Sequence, residues 1–227
     1  MARELARRSL PSGRTARVVM SEAADGDAAN RDIAIGGLTD SQGRQWPWTS
    51  LRQVHGSDLV VVDFPGGGSG SCADAAITAL SGSPIAVRVA DCMPVALLGN
   101  DSVGVVHAGW RGLLGGVVER TIEAQMVLDG LLVVEAVVGP HIRPCCYKFD
   151  DIDLDKFVER FGPSVRAKTS HGQPALDLAA ILVVILERAG VPGRFDAICT
   201  ACDDRYWSFR GTATTCRQAM VAWIEEN

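Results

Sequence analysis

Residues 87–116, VRVADCMPVALLGNDSVGVVHAGWRGLLGG, hold two Val- and Leu-rich runs separated by Gly-Asn-Asp, then a glycine-flanked Trp-Arg pair. Short apolar runs bounded by turn residues predict buried strands over 84–90, 94–98 and 102–107. The glycine-flanked segment predicts a helix from Gly112 to about Leu128, closed by Asp129-Gly130. A core needs only a small apolar residue at position 92 and tolerates almost anything at 107. Cys92 and His107 instead stand where a strand stops and a Pro or Gly follows, and chemistry gathers in such places.

The same signals extend outward. Further strands are predicted over 48–54, 58–63, 73–79, 132–138 and 195–200. A helix over 153–161 carries Leu154, Phe157, Val158 and Phe161 at helical spacing before Gly162. LDLAAILVVILERAG predicts a buried helix capped by Asp177 and ended by Gly190. A last helix is predicted over 214–225. Strands early and helices late indicate an α+β layered fold. No internal repeat or linker divides the chain, so residues 1–227 are read as one domain, with 1–16 an Arg-rich tail. PGGGSGS at 65–71 is a loop tip.

Composition narrows the function. The 227 residues are 47% hydrophobic with a net charge of −5. No global basic field therefore draws in nucleic acid or anionic lipid. The Arg-rich start lacks the apolar core of a secretory signal, and the most apolar run is too short and too soon charged to span a bilayer. Seven cysteines, an odd and scattered set, suit free thiols in a reducing cytoplasm. No oligomeric state follows from these features.

Among the four histidines, His55 in LRQVHGSD repeats the pattern of His107: a strand end, then glycine. Two imidazoles and one thiolate make a three-ligand zinc set with an open fourth position. Turn and core packing is the competing reading of the same spacing. Arg111 at the helix start, with the N–H groups near Gly112, favours an anion such as phosphate.

RQVHGSDLV, CADAAIT, VADCMPVALL, VHAGWRGLLGG, VVGPHIRPCCYKF and YWSFRGTATTCRQAMVAWI together resemble the YfiH/DUF152 family, in order and over roughly residues 48–224. Its members have been called multicopper polyphenol oxidases or laccase-domain proteins, and later zinc-dependent purine nucleoside phosphorylase/adenosine deaminase enzymes. The resemblance implies stacked mixed β-sheets flanked by helices, in αββα layers, with one zinc held by His55, Cys92 and His107. It implies purine nucleosides and phosphate as partners: phosphorolysis of adenosine, inosine, guanosine and methylthioadenosine, and hydrolytic deamination of adenosine.

Deamination needs an activated water at the purine C6 and a carboxylate to carry the proton. Asp91 and Asp74 are the nearest carboxylates, with orientation of a zinc histidine the alternative role. Phosphorolysis needs phosphate held against a ribose gaining positive charge, for which Arg111, Gly112 and Arg210 are candidates. His141 is read as a surface residue, and Cys145-Cys146 and Cys199-x-x-Cys202 as structural. Gly211 stands where the family usually has a second Arg, while Arg210 and Arg217 are retained. The family's front segment is replaced by VVMSEAADGDAANRDIAIGG, of which Asn30-Arg31 keep part of the purine pocket.

Other chemistries use the same residues. Cys92 as nucleophile with His107 as base would make an amidase acting on a cell-wall precursor, a role to which relatives have also been linked. A nucleoside-binding relative without turnover is a further reading. Copper phenol oxidation fits least, because a copper cluster needs many histidines.

Overall fold

A computed structural model describes residues 2–30, 32–33, 45–130 and 132–226, with the side chains of 32–33 left out. Along the chain run β1 (Arg3–Ser9), β2 (Thr15–Met20), β3 (Gly26–Asp27), β4 (Asp32–Ile33), β5 (Thr49–Ser50), β6 (Leu59–Val61), β7 (Ala75–Thr78), β8 (Ile85–Val89), β9 (Met93–Leu98) and β10 (Val103–Ala108). Then come α1 (Trp110–Gly115), α2 (Val117–Asp129), β11 (Glu135–Val138), α3 (Asp151–Phe161), β12 (Arg166–Lys168), β13 (Pro174–Leu176), α4 (Leu178–Ala189), β14 (Gly193–Phe195), α5 (Phe209–Thr212) and β15 (Gln218–Glu225).

Two mixed sheets carry the fold. One is ordered β1-β2-β15-β8-β5, the other β14-β11-β9-β10-β7-β6; β3/β4 and β12/β13 form small ribbons. The sheets face each other, and α1 and α2 lie on the far side of the six-stranded sheet. Every residue of β9 and β10 is therefore buried. Their side chains still alternate: Val95, Leu97 and Val106 join the cluster shared with the helices, while Ala96, Leu98, Val103 and Val105 face the other sheet. Burial on both faces makes such strands read as continuous apolar runs.

The mixed α+β class is as expected. Helices α1, α2, α3 and α4 gather on one side. The opposite outer face is covered, among the described residues, by Ala28, Trp46 and Trp48 against Val19, Val221 and Trp223, so the layers run sheet, sheet, helices on the described part of the chain. No helix of the described residues is long and apolar enough to cross a membrane.

Several sequence expectations change. The expected tail contains β1, paired antiparallel with β2. As an edge strand it buries only Ala6, so its Arg3, Arg7 and Arg8 make it resemble a solvated tail. The predicted last helix is β15, which lies between β2 and β8 with seven consecutive buried residues. A run buried on both faces has no period by which to tell strand from helix. The helix expected over 112–128 begins at Trp110 and breaks at Gly116, whose φ of 81° ends α1 and starts α2. Only Phe195 of the strand expected over 195–200 lies in β14. The helix capped by Asp177 is α4: the Asp177 carboxylate accepts the Ala179 and Ala180 N–H groups, and Gly190 closes the helix at φ 68°.

Candidate metal centre

The centre sits where β7, β9 and β10 meet. His107 on β10 lies opposite Pro94 on β9, which brings Cys92, two residues earlier, beside the Ala108–Gly109 end of β10. β10 also pairs with β7, and the His107 N–H donates to the Asp74 carbonyl at 2.7 Å. The Asp74 side chain, fully buried, accepts from four residues at once, His55 and His107 among them. Its Oδ1 accepts from His107 Nδ1 at 2.7 Å and from the His55 N–H at 3.0 Å. Its Oδ2 accepts from the Val54 and Gly56 N–H groups at 3.1 and 2.7 Å. One carboxylate thus fixes the His107 tautomer, leaving Nε2 as the ligand atom, and folds the turn that presents His55. That turn holds His55 at φ 59°, a left-handed conformation that non-glycine residues rarely adopt.

His55, Cys92 and His107 each offer a ligand atom, all within 4.8 Å of one another. The imidazoles meet edge to face with centroids 4.8 Å apart. Gly109 completes the cradle: a Cβ there would stand 3.1 Å from His55 Cδ2 and 3.2 Å from Cys92 Sγ. The centre is graded in exposure, from exposed His55 through half-buried Cys92 to His107 at 3%.

Electrostatics ready the ligands. Burial alone would push the Cys92 thiol up; the charge and hydrogen bond of His107, with help from His55, outweigh it and bring the thiol down to about 6. Burial likewise disfavours charge on His107, but Cys92 and Asp74 raise it to about 9. Burial also opposes charge on Asp74, and the bonds from His107 and Gly56 still lower it. Without a metal the pair is a thiolate beside an imidazolium. A two-imidazole, one-thiolate set whose thiol is already lowered, clustered and open on one side, fits a catalytic zinc site, where the ion would displace the second ring proton of His107.

A cavity of about 540 Å³ opens on the centre. Its wall carries five arginines: Arg52, Arg88, Arg111, Arg210 and Arg217. Arg111 stacks on Trp110 with 4.1 Å from Cζ to the ring, and Arg210 lies 5.0 Å over Tyr147. Arg88 bonds the Leu51 and Ala29 carbonyls. Asp91 also lines the cavity, at φ 90°. Its Oδ1 accepts from the Thr200 and Ser208 hydroxyls at 2.8 and 2.7 Å, and its Oδ2 from the Arg210 N–H at 2.6 Å. It therefore pins the 200–210 loop against the strand end that carries Cys92.

The expected site residues thus divide. His55, Cys92, His107, Asp91, Arg111 and Arg210 come together. Gly112 does not line the cavity; a Cβ there would stand 3.0 Å from the Gly56 carbonyl, so its part is to let α1 approach the His55 turn. Asn30 is exposed and bonds Asp27. Arg31 lies outside the described residues. His141 is no surface residue: it is fully buried, its Nδ1 bonded to the Gly139 carbonyl at 2.9 Å, and burial lowers it to about 4. Arg52 and Arg88 were missed. Arg88 had a signal, as the one charge in the buried strand IAVRV, and Arg52 stands three residues before His55.

The family model described as multi-copper polyphenol oxidoreductase laccase matches residues 25–225. A purine nucleoside phosphorylase of Streptomyces coelicolor is 37% identical over 204 residues, 87% of this chain and 82% of its own. One from Xylella fastidiosa is 36% identical over 77% of this chain and 71% of its own. Among solved structures, YlmD of Geobacillus stearothermophilus superposes with a TM-score of 0.75 at 25% identity, covering 95% of this chain and 93% of that one. A DUF152 protein of Neisseria meningitidis gives 0.77 at 23% identity over 99% of both chains, a likeness of fold. With a matching family model, relatives above 30% identity and a shared fold, this chain belongs to the YfiH/DUF152 family, whose model carries the multi-copper polyphenol oxidoreductase laccase description.

Proposed function

We propose that this protein is a zinc-dependent purine nucleoside phosphorylase that also deaminates adenosine. The observation that carries the reading is the convergence of His55, Cys92 and His107 at the floor of an arginine-walled cavity. At about 540 Å³ it falls within the range of small-molecule sites. Curated relatives named purine nucleoside phosphorylase supply the substrate class. Adenosine, inosine, guanosine and methylthioadenosine are the nucleosides proposed, with phosphate as the second substrate. A zinc ion on these three ligands supplies a Lewis acid with a vacant position, able to polarise a substrate oxygen or lower the pKa of a water.

The chain's own residues do the rest. Asp74 keeps the proton of His107 on Nδ1 and holds His55 in place. Arg111 and Arg210 hold the phosphate against the ribose, where positive charge develops as the glycosidic bond breaks. Stacking on Trp110 and Tyr147 fixes the two guanidinium planes, so less freedom is lost when the anion binds. Asp91, with both oxygens engaged, positions Arg210 rather than carrying a proton. The free thiols of the chain suit a reducing compartment, and we place the protein in the cytoplasm.

The thiolate–imidazolium pair of Cys92 and His107 favours one second reading, a metal-independent cysteine hydrolase. Incubating the purified protein with adenosine and phosphate, with and without chelator, separates the two. Adenine with ribose 1-phosphate, and inosine, both lost on chelation and restored by zinc, support the proposal. Absence of both products from metal-replete protein overturns it.

A further inference from the structure

Of the six cysteines outside the first centre, four form a cluster of their own. Cys145 and Cys146 belong to the turn after Pro144, while Cys199 and Cys202 belong to the turn that opens the 200–210 loop. The two turns are brought together by a bridge between His141 and Cys199 and by the Thr200 N–H donating to the His141 carbonyl. All four sulfurs fall within 4.8 Å of one another, with Cys146 and Cys202 at 3.3 Å and Cys145 and Cys202 at 3.8 Å. None of the cysteines is disulfide-bonded.

These distances are those of a shared ion. A disulfide needs sulfurs about 2.05 Å apart. A tetrahedral zinc with Zn–S bonds of about 2.3 Å sets its sulfurs about 3.8 Å apart. The backbone supplies a second observation. The Arg143 N–H donates to Cys199 Sγ at 3.4 Å, and the Ala201 N–H, two residues into the Cys199-Thr-Ala-Cys202 turn, also bonds the Cys199 sulfur. Amides aimed at a sulfur stabilise a thiolate, the form that binds metal. Lys148 and Arg210 border the same hollow as Cys145 and Cys146, placing positive charge beside it.

We propose that Cys145, Cys146, Cys199 and Cys202 hold a second zinc ion, in a closed tetrathiolate site separate from the His55–Cys92–His107 centre. Four thiols release four protons to solvent and bind one dication as thiolates, leaving a centre of net charge −2 that the amides and the two cations offset. All four positions are taken by protein, so the ion is structural. It staples the turn before Tyr147 to the loop that carries Arg210, two residues on the cavity wall. The proposal is independent of the activity proposed above, because it concerns ligands none of which belongs to the first centre.

The test uses the full chain with the first centre removed. In the His55→Ala/Cys92→Ala variant, one equivalent of zinc should remain after gel filtration. Replacing that zinc by cobalt should give the thiolate charge-transfer and visible d–d bands of a tetrahedral tetrathiolate. Wild-type protein should hold two equivalents, and Cys199→Ser in the double-variant background should lose the remaining one together with the cobalt spectrum. A second measurement needs no substitution among the four: in native double variant the cluster thiols should resist a thiol reagent until zinc is removed, then react as free thiols. Double variant that binds no metal, with the cluster thiols reactive from the start or oxidised to a disulfide, overturns the assignment. Iron with acid-labile sulfide in place of zinc overturns it as well.

Discussion

Replacing Asp74 with Asn tests the core of the site with almost no change of shape. Both carboxylate oxygens of Asp74 accept two donors each: His107 Nδ1 and the His55 N–H on one, the Val54 and Gly56 N–H groups on the other. An amide has a single acceptor oxygen, so in either orientation two N–H donors face an NH₂ group. Each orphaned buried donor costs about 1–3 kcal/mol, giving about 2–6 kcal/mol of lost stability, the lower end if the turn relaxes. Loss of the carboxylate behind a ligating histidine also costs about 10- to 100-fold in metal affinity. Urea unfolding of metal-free protein reads the first quantity, and zinc competition against a chromophoric chelator reads the second. Asp58→Asn, an exposed residue in the same turn, removes the same charge without touching these bonds. An Asp74→Asn protein that matched Asp58→Asn in both measurements would refute the claim that this carboxylate orients His107 and shapes the His55 turn.

Gly109→Ala keeps an allowed backbone, at φ −76°, but drives a methyl against His55 and Cys92. A shift of a few tenths of an ångström exceeds the ~0.2 Å tolerance of zinc ligation. Zinc affinity should therefore fall at least about tenfold, with the unfolding midpoint of metal-free protein little changed; competition titration and thermal denaturation check this. Asp91→Asn should raise KM for phosphate several-fold more than KM for nucleoside, because it frees the Arg210 backbone; initial-rate kinetics at varied phosphate decide it. His141 gives a pH signature. Its unfolded form takes a proton below 6.5 and the buried form refuses it until about 4. Its contribution is complete above pH 6.5 and is lost as pH falls toward 4, by up to about 3 kcal/mol. His141→Asn should flatten that slope in urea unfolding measured across the window.

The cluster of His55, Cys92 and His107 was legible because each lies within two residues of a glycine or proline that follows it, a local pattern. The strands β9 and β10 were legible as apolar runs cut by turns, and α4 by its cap and its stop. The arginine wall was legible only in part: Arg111, Arg210 and Arg217 stood out, while Arg52 and Arg88 join them only when β8 pairs with β15 and the 200–210 loop folds over Asp91. The four-cysteine cluster was hidden for the same reason, since one pair is vicinal and the other lies more than fifty residues on. His141 misled because burial with a single backbone partner leaves no trace in composition. β15 misled because full burial erased its period.

The position of β15 governs the order in which the molecule can be assembled. It separates β2 from β8 and is hydrogen-bonded to both. During synthesis β8, which leads straight into Asp91 and Cys92, has among the described residues only the two of β5 for a neighbour in its sheet until residues 218–225 leave the ribosome. Until then two sticky, unsatisfied strand edges wait with a gap between them, a state that invites chaperone holding or aggregation. Capture of the proposed ion at His55, Cys92 and His107 should accordingly be a late event, and nascent chains arrested before residue 218 should emerge without it.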